Sequence, residues 1–145
     1  MNKIYIASVL MLLLIIGSSG CGVVSTKAHA QQVATNLFEA IRNKDFDTAM
    51  TFYAPEFFEE TPVDWMQVLK NVNAKLGDLE TYKLDTWSIN KFMGTTGSGT
   101  YFKAQYEVTY SRYTATEKLT LFKPDTGSEF KIIKHDIESF GLFLE

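Results

Sequence analysis

Five aromatic residues are the side chains best placed to contact a ligand: Tyr53, Trp65, Trp87, Tyr106 and Tyr110. Each carries a broad apolar ring with one polar atom at its tip, a combination that suits a small apolar ligand, a lipid or a peptide. Acid–base chemistry would need a carboxylate or imidazole within reach of them. Glu107 follows Tyr106 directly, so on a strand it points to the other side. His135-Asp136 is the histidine next to an acid, and strand neighbours also diverge, so adjacency alone makes no dyad. We expect His135 at the surface or a strand end, and His29 facing solvent. Two separated histidines and one cysteine make no metal-ligand cluster. No metal, no cofactor and no catalytic residue is assigned.

The elements that must position these rings follow from hydrophobic period. In residues 100–111, Phe102, Ala104, Tyr106, Val108 and Tyr110 alternate with Lys103, Gln105, Glu107, Thr109 and Ser111. That is the pattern of a strand with one face toward a core. Further strands are expected at Tyr82–Phe92, about Thr116–Lys123 and about Glu129–Ser139. The first shifts phase between Leu84 and Trp87, as a bulge would cause. The Gly-rich stretch Met93–Gly99 reads as a hairpin loop. It lacks the lysine and the following helix of a phosphate-cradling loop. Pro124–Ser128 reads as a turn, and Phe140–Leu144 as an apolar tail that covers a sheet edge or frays.

Upstream, Ala30, Val33, Ala34, Leu37, Phe38 and Ile41 recur at helical spacing. The spacing predicts a helix from about Thr26 to Asn43, capped by Ser25 or Thr26. Phe46, Ala49, Met50 and Tyr53 predict a second stripe, ended by Pro55. Glu56–Glu60 is a strand stub or a loop. A third helix carries Trp65, Val68, Leu69, Val72 and Leu76, with Thr61 as cap, Pro62 in its first turn and Gly77 as stop. Helices followed by short-turned strands make an α+β fold, with N-terminal helices packed on a curved antiparallel sheet.

At 145 residues the chain has room for one domain. Its net charge is −3 with neither sign clustered, which argues against a nucleic-acid partner. A single cysteine, Cys21, excludes an internal disulfide.

That cysteine sits in a telling place. Lys3 is followed by the apolar run Ile4–Ile16, then Gly17-Ser18-Ser19-Gly20-Cys21. The run is too short to span a bilayer but suits a signal-peptide core. Charge, apolar core, small residues and cysteine in this order resemble a bacterial lipoprotein signal. Ser19, Gly20 and Cys21 match the last three lipobox positions, while Ser18 stands where that family usually has leucine. The resemblance implies a signal peptide at 1–20, diacylation of Cys21, a short tether at 21–27 and a domain at 28–145. It places the protein in the cell envelope, lipid-anchored on the extracytoplasmic face of a bacterial membrane. Ala28-His29-Ala30 offers the alternative of ordinary cleavage and a secreted, soluble chain.

The domain carries a second resemblance. Phe38–Ala49, with Asn43-Lys44-Asp45-Phe46-Asp47 at its centre, looks like the opening helix pair of the nuclear transport factor 2-like superfamily. Leu76-Gly77 before a strand, and Glu117–Lys123 leading through a turn to Phe130-Lys131-Ile132-Ile133, look similar too. The match covers about residues 28–139 and rests on element order. It implies a cone: a strongly curved sheet with helices on its concave side, often enclosing a pocket. Catalytic members place acids, tyrosines or histidines inside it, and dimers through the outer sheet face are frequent. The reading favoured here is a lipid-anchored module without catalysis, binding a small apolar ligand or an envelope protein. The five aromatic residues above are the candidate pocket lining. The alternative is an isomerase- or hydratase-type enzyme using the cone cavity.

Overall fold

The computed structural model describes residues 21–95 and 97–144. The signal peptide expected at 1–20 lies outside them. The chain folds as α1 (Cys21–Arg42), α2 (Phe46–Met50), α3 (Pro55–Glu60), α4 (Trp65–Leu76), β1 (Leu79–Gly94), β2 (Gly97–Tyr110), β3 (Thr114–Pro124) and β4 (Lys131–Glu138). A 3-10 turn, Phe140–Leu142, closes the described chain. The fold is α+β, with helices ahead of a curved four-stranded antiparallel sheet in the order β1-β2-β3-β4.

α1 begins at Cys21, ahead of the expected Thr26, so the stretch read as a tether is its first turns. Thr26 does not cap. Its hydroxyl bonds back to the Gly22 carbonyl at 2.8 Å, inside the helix. Ala30, Ala34, Leu37, Phe38 and Ile41 form the buried stripe. The two alanines leave α1 room to lie close to the sheet, and Phe38 stacks on Tyr82 at 4.8 Å. The helix closes on Lys44, whose φ of 58° is left-handed. Asp45 N–H donates to the Ala40 carbonyl and Lys44 N–H to the Ile41 carbonyl, the paired bonds of a Schellman stop. The Asp45 carboxylate then accepts from Thr48 N–H at 3.1 Å and caps α2. The Thr48 side chain, and then its backbone N–H, hold the Asp45 carboxyl below the usual range.

Three elements depart from expectation. α2 stops at Met50, so Tyr53 is not on a helical stripe. Tyr53 instead forms a parallel bridge to Ile132. The Ala54 N–H donates to the Ile132 carbonyl at 2.8 Å and the Ile132 N–H to the Phe52 carbonyl at 2.9 Å. Pro55 opens α3 rather than ending α2, since proline fits a first helical position where its missing N–H is not needed. The cap of α4 is Asp64, accepting from Gln67 N–H at 3.0 Å, not Thr61. Gly77 ends α4 as expected, with φ of 95° and its α-carbon against Ser111.

In the sheet, the β1–β2 register slips between Leu84 and Thr86, the bulge foreseen from the phase shift. β1 and β2 pair as far as Gly94 and Gly97, so the glycine-rich loop is mostly strand. A second bulge falls in β4, where Leu121 pairs with Ile132 but Thr120 pairs with Lys134. Ile133 is the extra residue, and it resets which side chains of β4 face inward. The tail does not fray: Gly141 is buried against Tyr113 and Leu76, while Phe140 and Phe143 stay exposed. No described helix is long and apolar enough to cross a membrane.

Candidate functional site

The helix-covered face of the sheet holds a buried polar network within an otherwise apolar core. β3 alternates Ala115, Glu117, Leu119 and Leu121 toward the helices, which carries a carboxylate inward. Past the Ile133 bulge, β4 turns His135 inward opposite Leu119, one inward position along from Glu117. The His135 Nε2 and Glu117 Oε2 atoms lie 2.8 Å apart, and both side chains are fully buried. The Tyr110 hydroxyl donates to Glu117 Oε1 at 2.6 Å. The Tyr53 hydroxyl lies 2.8 Å from His135 Nδ1.

With the imidazole protonated on Nε2, Glu117 accepts from Tyr110 on one oxygen and from His135 on the other, and Nδ1 accepts from the Tyr53 hydroxyl. Burying a carboxylate is costly unless its oxygens are hydrogen-bonded. Here two donors converge on it and a third orients the imidazole.

An aromatic shell closes the network from the helical side. Tyr53 packs on Phe57 at 4.7 Å, Phe57 on Trp65 at 5.2 Å, and Trp65 lies 5.4 Å from the His135 ring. The Trp65 indole N–H is buried near the Tyr53 phenol without completing a hydrogen bond. Burial pushes the Tyr53 phenol far up. The nearby Trp65 indole opposes that rise, and the Glu117 charge adds to it. Tyr110 is raised as well, first by burial and then by Glu117.

The residues singled out from the sequence therefore separate. Tyr53, Trp65 and Tyr110 converge on Glu117 and His135. Tyr106 is buried beside Phe38, its hydroxyl without a hydrogen-bond partner, and burial pushes it up to about 12. Trp87 stands apart, 41% exposed, with Lys27 Nζ 4.4 Å above its ring. Tyr106 nevertheless pairs across strands with Glu117, so Trp87 is the one that lies away from the network. His135, expected at the surface or a strand end, is buried within β4 because the bulge inverts the strand's facing. Glu117 was missed from the sequence, where no carboxylate partner was found for the tyrosines, although its phase with Ala115, Leu119 and Leu121 signals an inward carboxylate.

A tyrosine, histidine and carboxylate in line share the geometry of a nucleophile triad. Two features oppose that use. The phenol is pushed up by burial, whereas an activated nucleophile is pushed down. The Glu117 and His135 side chains also expose no surface to a substrate. Among the described residues no group of three or more His, Cys, Asp or Glu is placed to hold a metal.

A surface that can receive a ligand lies on the other side of the sheet. A groove of about 410 Å³ runs between α3 and the outer sheet face, lined by Pro55, Tyr101, Phe122 and Ile133, with Glu56, Glu60 and Lys131 among its polar lining. A second groove of about 380 Å³ shares Glu60, Tyr101 and Ile133 with it and continues past Thr120 and Lys103. Tyr101 and Phe122 pack at 4.7 Å and form its aromatic floor.

Compared with family models, with curated proteins and with solved structures, the chain matches none.

Proposed function

We propose that this protein is a lipid-anchored, extracytoplasmic binding module of a bacterial envelope. It is held by acyl chains on Cys21 and built on a nuclear transport factor 2-like cone. The anchor reading rests on the order Lys3, apolar run, small residues, Cys21. Two acyl chains supply what stable anchoring needs.

The observation that carries the binding reading is the closed interior. Glu117, His135, Tyr53 and Tyr110 spend their hydrogen bonds on one another, so recognition falls to the outer grooves around Tyr101 and Ile133. These are open and shallow, which suits an apolar side chain of an envelope protein better than an enclosed small molecule. Ile133→Glu, placed in the groove both surfaces share, tests this. Native mass spectrometry of wild type and variant from the host membrane should show a bound mass with wild type and its loss with the variant. An added mass retained equally by both would refute the groove.

One observation favours the enzyme alternative, an isomerase or hydratase. The interior does hold a carboxylate, an imidazole and phenols together. That reading requires α3 and residues 61–64 to swing aside and expose His135. Diethyl pyrocarbonate, which modifies accessible imidazole, should react with exposed His29 and spare His135 in the native protein. Comparable reaction at both would favour the enzyme.

A further inference from the structure

One end of the molecule gathers exposed apolar residues around the start of α1. α1 runs antiparallel to β1. Lys44 pairs with Asp78 at 2.9 Å, Phe38 stacks on Tyr82, and Lys27 lies over Trp87. The spacing agrees along both elements: Phe38 to Lys27 is roughly 16 Å of helix, and Tyr82 to Trp87 is roughly 17 Å of strand. Continuing to Cys21 adds roughly 9 Å. The helix start therefore comes level with about Asn90, roughly 13 Å short of the end of β1 at Gly94 and on the hairpin-tip side of the molecule. Val23 and Val24 are 53% and 69% exposed there, Phe92 45% and Met93 85%. Lys27 and Lys91 flank them. Acids at this end are Asp125, whose N–H bonds to the Ser98 carbonyl, Glu129, which already pairs with Lys131 at 3.7 Å, and, across the sheet at the level of Asn90, Glu60. The apolar residues and the two lysines lie on the α1 and β1 side.

We propose that this end is a bilayer-contacting rim. Val23, Val24, Phe92 and Met93 enter the interfacial region of the membrane, and Lys27 and Lys91 meet anionic headgroups. The inference rests on the anchored reading of Cys21, which fixes where the chain reaches the membrane. The apolar run Ile4–Ile16 precedes α1, so the chain arrives at this end and no other. Because α1 is helical from Cys21, nothing flexible separates the anchor from the rim. Apolar side chains beside an anchor add area to the insertion, and each lysine near an anionic surface adds to the attraction. This contact sets the orientation of the domain. The sheet stands with its hairpin tip down, and the Phe140–Leu144 tail, packed at Leu76 and Tyr113, points away from the lipid.

The test places a tryptophan at each end of the full protein, Met93→Trp and Phe143→Trp, both at exposed sites. Each acylated variant is reconstituted in phosphatidylcholine–phosphatidylglycerol vesicles with brominated acyl chains. The emission added by Met93→Trp should be quenched and blue-shifted, and that of Phe143→Trp should be neither. Equal behaviour of the two in protein that floats with the vesicles overturns the rim and leaves the anchor standing. A blue shift of Met93→Trp without quenching would mean that the tip meets a second copy or another protein instead of lipid, and it too overturns the rim. Protein that carries no acyl mass and does not float removes the anchor reading, and the rim falls with it.

Discussion

Tyr53 and His135 are 82 positions apart in the chain, and the phenol oxygen of one lies 2.8 Å from Nδ1 of the other. Two irregularities make the meeting possible. α2 ends early enough to let Tyr53 bridge to Ile132, and the bulge at Ile133 turns His135 inward. The contact ties the helical layer to the last strand and orients the imidazole toward Glu117.

Glu117 should be the most sensitive position of the network. Glu117→Ala leaves the donors of Tyr110 and His135 buried without their acceptor, and should cost about 3–5 kcal/mol. Tyr110→Phe leaves the carboxylate one donor short and should cost about 1.5–3 kcal/mol. Urea unfolding of the three proteins measures both. A Tyr110→Phe variant as stable as wild type would mean the carboxylate does not depend on that hydroxyl.

Tyr106→Phe should behave in the opposite way. Its hydroxyl is buried and unpaired, so removing it relieves a desolvated polar group. We expect stability unchanged or raised by up to about 1 kcal/mol. Comparing Tyr106→Phe with Tyr110→Phe separates two tyrosines that sit on the same face of β2 and look equivalent in sequence.

Lys44 is the one non-glycine residue with positive φ among those described. Lys44→Gly should stabilise the protein by about 0.5–1 kcal/mol, since glycine takes the left-handed conformation without cost from Cβ. The ion pair it forgoes with Asp78 joins two well-exposed side chains and is worth little. Loss of stability would show that this pair matters more than the backbone.

Alkaline pH should unfold the protein through its buried tyrosines. Tyr53, Tyr106 and Tyr110 all have phenols raised above the ordinary value of 10.0. Below about pH 10 both folded and unfolded chains keep these protons, and stability does not change on their account. Above it the unfolded chain releases them while the folded chain does not. Stability then falls by about 1.4 kcal/mol per pH unit for each tyrosine involved. Tyrosinate absorbance from these three should rise together with the loss of helical circular dichroism. A smooth rise at constant circular dichroism would contradict the burial.

Much of the fold was legible because it is local. The apolar stripe from Ala30 to Ile41, the glycine stop at Gly77 and the alternation along β2 each lie within one element and obey one period. The network was only half legible. Glu117 was passed over, although it sits in phase with Ala115, Leu119 and Leu121 and its inward direction can be read from β3 alone. His135 was not readable, because a single extra residue, Ile133, reverses the facing of the rest of β4, and the bulge is set by pairing with β3. Tyr53 was misplaced for a similar reason. Its helical spacing from Met50 is real, but bonds from Phe52 and Ala54 to Ile132 outcompete another helical turn.

The anchor at Cys21 is the claim on which the proposed location, orientation and partners all depend. The most direct measurement is the mass of the N-terminal peptide of the protein extracted from its own host membrane. The account predicts a peptide beginning at Cys21 and carrying the added mass of acyl chains. An unmodified chain beginning after Ala30 would contradict it.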